Sequence, residues 1–374
     1  MIARLRVCAC LAALPALGHA AQWTLVPQLA VSADSDSNRR LQRVAHESES
    51  GVVFGALTLA RLTETGSLLL TPRAVISRYS GEDALDSDDW GVNAAWRTRG
   101  ERFDFSLDAG VTDDSALVSE LGETGIVEGN TRRRSTNASA AFTQYVSTRH
   151  VLQYQLSTSD VDYQRSAGTG LLAYRYPSAA IQYAYTVSPR LDITATASGA
   201  RLTADAIDLV SETRGAQLGL RYRFSERCDF EAGAGRSTTR ARARDDSEQS
   251  YRAALSWHDE ISRLTFSASR DIEPSGRGVL VNADDLRFEY SRSLTEKVSL
   301  TTGLRLSRRQ DLDNLGARTD YRYGVTSLAV SWHLDERWTL SVASLYSRQE
   351  YHDYADPADG KRIGMNLAWR PVQP

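Results

Sequence analysis

Apolar and polar residues alternate along this chain in runs of about 10 to 14 residues, and the runs recur from residue 22 almost to the end. A period of two puts successive side chains on opposite faces of a β-strand. Phe103, Phe105, Leu107, Ala109 and Val111 share one face, with Asp104, Ser106, Asp108, Gly110 and Thr112 on the other. Val298, Leu300, Thr302, Leu304 and Leu306 oppose Ser299, Thr301, Gly303, Arg305 and Ser307 in the same way. So do Ala216, Leu218, Leu220, Tyr222 and Phe224 against Gly215, Gln217, Gly219, Arg221 and Arg223. Strands of globular proteins average about half this length, whereas a tilted strand crossing hydrocarbon needs about 10 residues. The pattern predicts an all-β fold, a transmembrane antiparallel up-and-down β-barrel.

The links between runs are of two kinds. Short turns fall at Thr63–Gly66, Thr98–Glu101, Ser147–Arg149, Ser188–Arg190, Ser225–Arg227, Thr295–Lys297 and Leu334–Arg337. They alternate with longer acidic links such as Asp34–Ser50, Gly81–Asp89, Thr112–Thr131, Asp311–Thr319 and His352–Gly360. Short inner turns facing longer outer loops are the asymmetry of membrane barrels. Counting runs gives about 18 strands, beginning near residues 22, 51, 67, 89, 102, 132, 149, 171, 189, 212, 227, 247, 262, 281, 297, 319, 337 and 361. Both ends of the barrel then lie on the short-turn side. Aromatics cluster at strand ends. Phe224, Trp332, Phe103, Phe230 and Trp338 sit by short turns, while Tyr79, Tyr163, Tyr321, Tyr323 and Tyr351 border long loops. The expectation is one aromatic girdle at each interface.

Residues 1–21 read as a signal peptide, leaving 22–374 as the barrel. Arg4 and Arg6 precede an apolar run from Val7 to Leu17, and Gly18-His19-Ala20-Ala21 offers small residues for cleavage after Ala20 or Ala21. The apolar run continues past Cys10, which argues against a lipoprotein. Cys228 would then be the one cysteine left, so no internal disulfide can form. Mean hydropathy is negative and 24% of residues are charged. In a barrel the two faces average out, so this does not argue for a soluble protein. Net charge is −3, without a basic tail, which argues against nucleic acid as a partner.

The polar face carries charges of both signs. Arg97, Arg221, Arg223, Arg252, Arg287 and Arg305 fall on it, as do Asp104, Asp108, Asp192, Asp229, Glu231 and Glu289. They are candidate lumen charges that neutralise one another or select solutes, as rings of charge do in pores. Across the turn at Ser225, Arg223 is expected near Asp229 and Arg221 near Glu231. Arg132-Arg133-Arg134 is the strong basic cluster, expected at the outer rim against lipid phosphates or the acidic loop carrying Glu120, Glu123 and Glu128; a landing site for an anionic polymer is the alternative. Asp34, Asp36, Asp83, Asp86, Asp88, Asp89, Asp113 and Asp114 are placed on outer loops as solvated acids, since no calcium-loop spacing joins them. His258 and His333 adjoin Trp257 and Trp332 near short turns. His352 beside Asp353, and His46 near Glu47 and Ser48, lie at the outer rim without a nucleophile motif. No phosphate loop, dinucleotide fingerprint or metal-ligand spacing appears, so no catalytic residue, cofactor or metal is assigned.

Several stretches resemble a known family: Asp34-Ser35-Asp36-Ser37-Asn38-Arg39-Arg40, Trp90–Trp96, Arg102–Asp113, and Thr131–Val146 with its following hairpin. The chain is similar in these to the β-barrel porin-2 type of outer-membrane protein, associated with exopolysaccharide loci. The resemblance implies a single barrel in the bacterial outer membrane that aids polysaccharide passage, and no catalytic residues. Expected partners are outer-membrane lipid and lipopolysaccharide, the barrel assembly machinery, and a polysaccharide or small solutes. Trp369 fits the terminal aromatic that assembly machinery recognises, although Arg370–Pro374 follow it. The leading expectation is a passive porin-like channel. A plugged structural or adhesive barrel is the runner-up, and an outer-membrane hydrolase comes third.

Overall fold

The structure, a computed structural model, describes residues 22–120, 131–164, 169–241, 244–312, 320–351 and 356–372. The expected signal peptide, His352, Glu123 and Glu128 lie outside these residues. Among the described residues there are eighteen strands. They are β1 (Gln22–Asp36), β2 (Ser48–Leu62), β3 (Gly66–Ser80), β4 (Ser87–Arg99), β5 (Phe103–Ser115) and β6 (Arg132–Tyr145). Next come β7 (His150–Gln164), β8 (Tyr174–Ser188), β9 (Leu191–Ala204), β10 (Leu209–Ser225), β11 (Cys228–Ala241) and β12 (Arg244–His258). The last are β13 (Ser262–Pro274), β14 (Leu280–Ser293), β15 (Val298–Asp311), β16 (Asp320–His333), β17 (Trp338–Tyr351) and β18 (Ala358–Trp369). Each expected strand start lies within three residues of the observed one. A short helix, α1 (Ala116–Glu120), follows β5.

Every strand pairs antiparallel with its chain neighbours, and β1 also pairs with β18, which closes the sheet. Closure is what lipid demands, because an unpaired backbone group there costs several kcal/mol. The seam is shorter than the other ladder of β1. Fifteen residues of β1 pair with β2, but only Leu29–Asp36 pair with β18, from Trp369 to Arg362. The outer end of the seam is also tied by an ion pair, Arg362 Nε to Asp36 Oδ2 at 2.8 Å.

The face assignments follow from register. Leu25, Leu29, Val31, Leu156, Leu218 and Ile363 are each at least half exposed, all on the outward face. A soluble domain does not leave so wide an apolar band in water. Among the described residues, the middle of the barrel has no packed core. The buried residues cluster at the long-loop end instead.

Two sequence expectations are corrected here. Strands of 12 to 17 residues exceed the 9–11 a bilayer needs, so their outer ends project beyond it. Asp34 and Asp36 therefore belong to β1, Asp88 and Asp89 to β4, and Asp113 and Asp114 to β5, not to loops; Asp83 and Asp86 do lie in a connection. The tyrosines beside the long loops form no outward girdle. Tyr79, Tyr163 and Tyr321 face inward and are buried, because each sits one residue out of phase with the lipid face. The outward aromatics at that end are Trp90, Tyr251 and Tyr346.

Inner turns are capped locally. Asp335 accepts from the N–H groups of Arg337 and Trp338 at 2.7 and 2.8 Å, and Asp259 from Ile261 and Ser262 at 2.9 and 2.6 Å. These bonds hold both carboxyls below the usual carboxylate range. The support they give is present above the ordinary carboxylate pKa and is lost as pH falls through the lowered value.

Arg362→Ala leaves the buried Asp36 carboxylate without its seam partner. The expected cost is about 1–3 kcal/mol, read as a lower temperature of loss of heat-modifiable gel migration. An unchanged temperature would count against the seam as the weak line of closure.

The lumen and its outer mouth as the candidate functional site

The inward face divides into sectors. Arg221 on β10 lies in register between Asp192 on β9 and Glu231 on β11. One hairpin step away, Arg223 and Asp229 form an ion pair at 3.6 Å. Arg252 on β12 reaches Asp271 on β13 at 3.6 Å. Arg287 on β14 and Arg305 on β15 are direct cross-strand neighbours, with Glu289 two residues along the same face. Arg305 also meets Asp285 at 3.8 Å. A cavity of about 490 Å³ opens against this wall, lined by Arg221, Asp229, Glu231, Arg287, Glu289 and Arg305.

The other three expected lumen charges stand apart on β4 and β5. Asp104 is bound by Arg99 at 2.9 Å and by the Tyr145 hydroxyl, which donates at 2.6 Å. Asp108 and Arg97 both face inward, and a cavity of about 570 Å³ includes Arg73, Asn93, Asp108 and Asn137 in its wall. Hydroxyls and amides fill the walls between the charged sectors: Ser139, Gln155, Ser157 and Gln182 on β6–β8, and Ser341, Asn366, Ser32 and Gln28 on β17, β18 and β1.

The arginine triplet is braced by carboxylates. Arg132 contacts Asp89 and Asp113, each at 2.6 Å, and Arg134 contacts Asp113 at 2.9 Å. Arg133 turns inward to Glu120 at 3.1 Å. Glu120, at the end of α1, is 1% exposed and also accepts from the Tyr163 hydroxyl at 2.6 Å. Three further acids of the set are held too: Asp34 by Arg39, Asp36 by Arg362 and Asp88 by Arg78. Among the described residues, no group of three or more His, Cys, Asp or Glu is arranged to hold a metal ion. His46 is exposed on the β1–β2 connection, while His333 and His150 hydrogen-bond Thr339 and Tyr183 at the short-turn end.

The largest departure from expectation is at the mouth. The β13–β14 tip, residues 275–279, folds inward across a chord of the barrel. Val279, Leu280 and Val281 pack against Val161 and Tyr163 of β7, Tyr174 of β8, Leu202 and Ala204 of β9, and Leu209 of β10. Burying a side chain of this size contributes about 1.5–3 kcal/mol, so the tip holds itself in place. The Leu172 N–H donates to the Gly276 carbonyl at 2.8 Å, and Arg277 ion-pairs with Asp311. Gly278 has φ +69°, and a Cβ there would press on Ala204 and Leu172. A second inward segment comes from the β1–β2 connection. Arg39 lies 4.9 Å over the Tyr79 ring, and the Leu41 carbonyl accepts from Gln349 at 2.8 Å. Tyr79, Leu85 and Leu117 pack together beside it. The sequence did carry a signal for the tip: Val279-Leu280-Val281 is a three-residue apolar run that breaks the alternation directly after Gly276 and Gly278.

Three solved structures show how this fold compares. The outer membrane protein opdK from Pseudomonas aeruginosa is 10% identical, with 93% of this chain and 99% of that one covered and a TM-score of 0.52. Pseudomonas aeruginosa OccK2 (OpdF) is 11% identical over 93% and 98%, with a TM-score of 0.52. OccK5 (OpdH) from the same organism is 10% identical over 94% and 99%, with a TM-score of 0.51. At such identity the likeness is one of fold. No protein-family model matches the sequence and no curated protein matches it, so the family resemblance rests on the stretches named above.

A Cβ on Gly276 would overlap the Glu120 carboxylate and the Tyr163 hydroxyl. Gly276→Leu is expected to drive the tip out of the mouth and raise single-channel conductance in a planar bilayer. Conductance equal to that of the unaltered protein would show that the tip does not narrow the path.

Proposed function

We propose that this protein is a passive channel of the bacterial outer membrane, selecting small polar and charged solutes by lumen charge and mouth shape, with no bond broken. The observation that carries this reading is the two-sided charged lumen behind a mouth narrowed by folded-in loops. The fold likeness to opdK, an outer membrane protein, and the signal sequence read at residues 1–21 support the location. In the same reading the Trp369-ended last strand is the element that the assembly machinery receives.

A polymer-exporting version draws on the hydroxyl- and amide-lined walls, which offer hydrogen bonds to a chain rich in hydroxyls without a fixed charge to hold it. Loss of surface polysaccharide on gene deletion is its expected outcome. Unchanged polymer would leave the solute channel alone.

Arg287 and Arg305 crowd two positive charges on adjacent strands. Two unit charges 4 Å apart interact by about 1 kcal/mol even in bulk water, which is roughly fivefold in local ion concentration. Arg287→Glu with Arg305→Glu is therefore expected to move the reversal potential in a salt gradient toward cation preference. Absence of discrete openings from the unaltered protein would overturn the channel reading and favour a plugged surface barrel.

A further inference from the structure

The outward wall carries a second polar feature that the channel does not use. On β13–β16 a cross-strand row runs Arg270, Asp284, Arg308, Arg322, and Glu350 on β17 continues it. All of these share the lipid-facing side, near the long-loop end of their strands. The next row toward the membrane is Ala268, Leu286, Leu306 and Gly324, with Arg348 beside Gly324. A groove of about 490 Å³ lies here. Leu286, Leu306, Gly324 and Thr326 form its floor, and Tyr251 and Tyr346 stand at its sides. The lack of a side chain at Gly324 deepens it, since a Cβ there would come within 3.2 Å of Leu306.

Carboxylates hold the guanidiniums at the groove's upper edge. Arg270 meets Asp284 at 2.6 Å, Arg308 meets Asp320 at 2.5 Å, and Arg348 meets Glu350 at 2.8 Å. Four arginines thus face three acids, and Arg322 has no ion pair among the described residues. A guanidinium carries five N–H donors, and a carboxylate occupies at most two of them in a fork. The row keeps donors free in a fixed geometry, with an apolar trough directly below.

We infer that this groove binds a phosphorylated glycolipid of the outer leaflet, its phosphate on Arg322 and the neighbouring guanidiniums and one acyl chain over Leu306 and Gly324. The occupant follows from the chemistry. An anionic head at the membrane rim with a hydrocarbon tail below matches the basic row and apolar floor together, a combination that a water-soluble solute does not present. Arg is the residue suited to bidentate phosphate contacts. The inference rests on the outer-membrane reading above, which sets the long loops toward the outside.

The test is native mass spectrometry of the detergent-purified full chain. The probes are a bis-phosphorylated, hexa-acylated glucosamine glycolipid, its dephosphorylated form, and phosphatidylglycerol. The unaltered protein is expected to retain the phosphorylated glycolipid in preference to the other two. Dephosphorylation or Arg322→Glu should weaken retention roughly tenfold, as expected for loss of a charge-assisted contact. Gly324→Trp should weaken it by filling the trough, and Arg322→Gln gives a milder second variant. Heat-modifiable migration checks that each variant is folded. Equal retention by the folded variants, equal retention of the dephosphorylated probe, or preference for phosphatidylglycerol would overturn the inference. Conductance in phospholipid bilayers is read separately: its absence in the unaltered protein counts against the channel and not against the lipid site.

Discussion

The ladder between β1 and β18 is the contact on which the rest of this molecule depends. Hydrocarbon offers no partner for a backbone N–H or C=O, so a sheet in lipid must have no edge. Closing eighteen strands meets that demand and creates an interior too wide for side chains alone to fill. The consequences run in order. The outward face must be apolar, so polar residues concentrate inside. A wet interior cannot hold an apolar core, so close packing moves to the outer mouth, where the β13–β14 tip and the β1–β2 connection fold onto the inward ends of β3 and β7–β10.

This explains what the sequence made legible. The lipid face tolerates few polar residues, so alternation is strictly kept across the bilayer, and strand number and order follow from it. The same alternation puts Arg221 opposite Glu231 and Arg223 opposite Asp229. Outside the bilayer that discipline lapses. Strands run on past the membrane, so Asp34, Asp88 and Asp113 look like loop acids but are strand residues held by arginines. A phase difference of one residue separates an interfacial tyrosine from a buried one, and Tyr79, Tyr163 and Tyr321 fall on the inner side of it. The ion pair of Arg309 with Asp285 at 2.9 Å is not legible in the sequence, because it joins residues 24 positions apart on a face with many charges. Contacts of the mouth, such as Glu120 with Tyr163 and Arg133, join segments distant in the chain with no local periodicity to announce them.

Arginine serves three environments in this barrel. Inside, it stands with carboxylates on β9–β15 and again on β4 and β5, and the walls between are left to hydroxyls and amides. At the mouth, Arg39, Arg133 and Arg277 fasten inward-folded segments to strand ends. On the outer rim, Arg270, Arg308, Arg322 and Arg348 stand along an apolar trough, the proposed lipid site. Its fixed charge, planar fork and long apolar stem suit all three. The division of labour is set by which face of the strand each arginine occupies, and that is set by closure.

Closure can be tested at the seam itself. Ala30 and Ala368 are register partners on the inward face of β1 and β18. Antiparallel partners have Cα atoms about 4.5–5.5 Å apart, within the span of a disulfide. The decisive measurement is single-channel conductance of Ala30→Cys, Ala368→Cys in a Cys228→Ser background, before and after oxidation. A closed conducting barrel predicts that the cross-link forms and that the openings persist at unchanged conductance. Failure of the two cysteines to join, or openings that vanish once they do, would contradict a barrel sealed between its first and last strands.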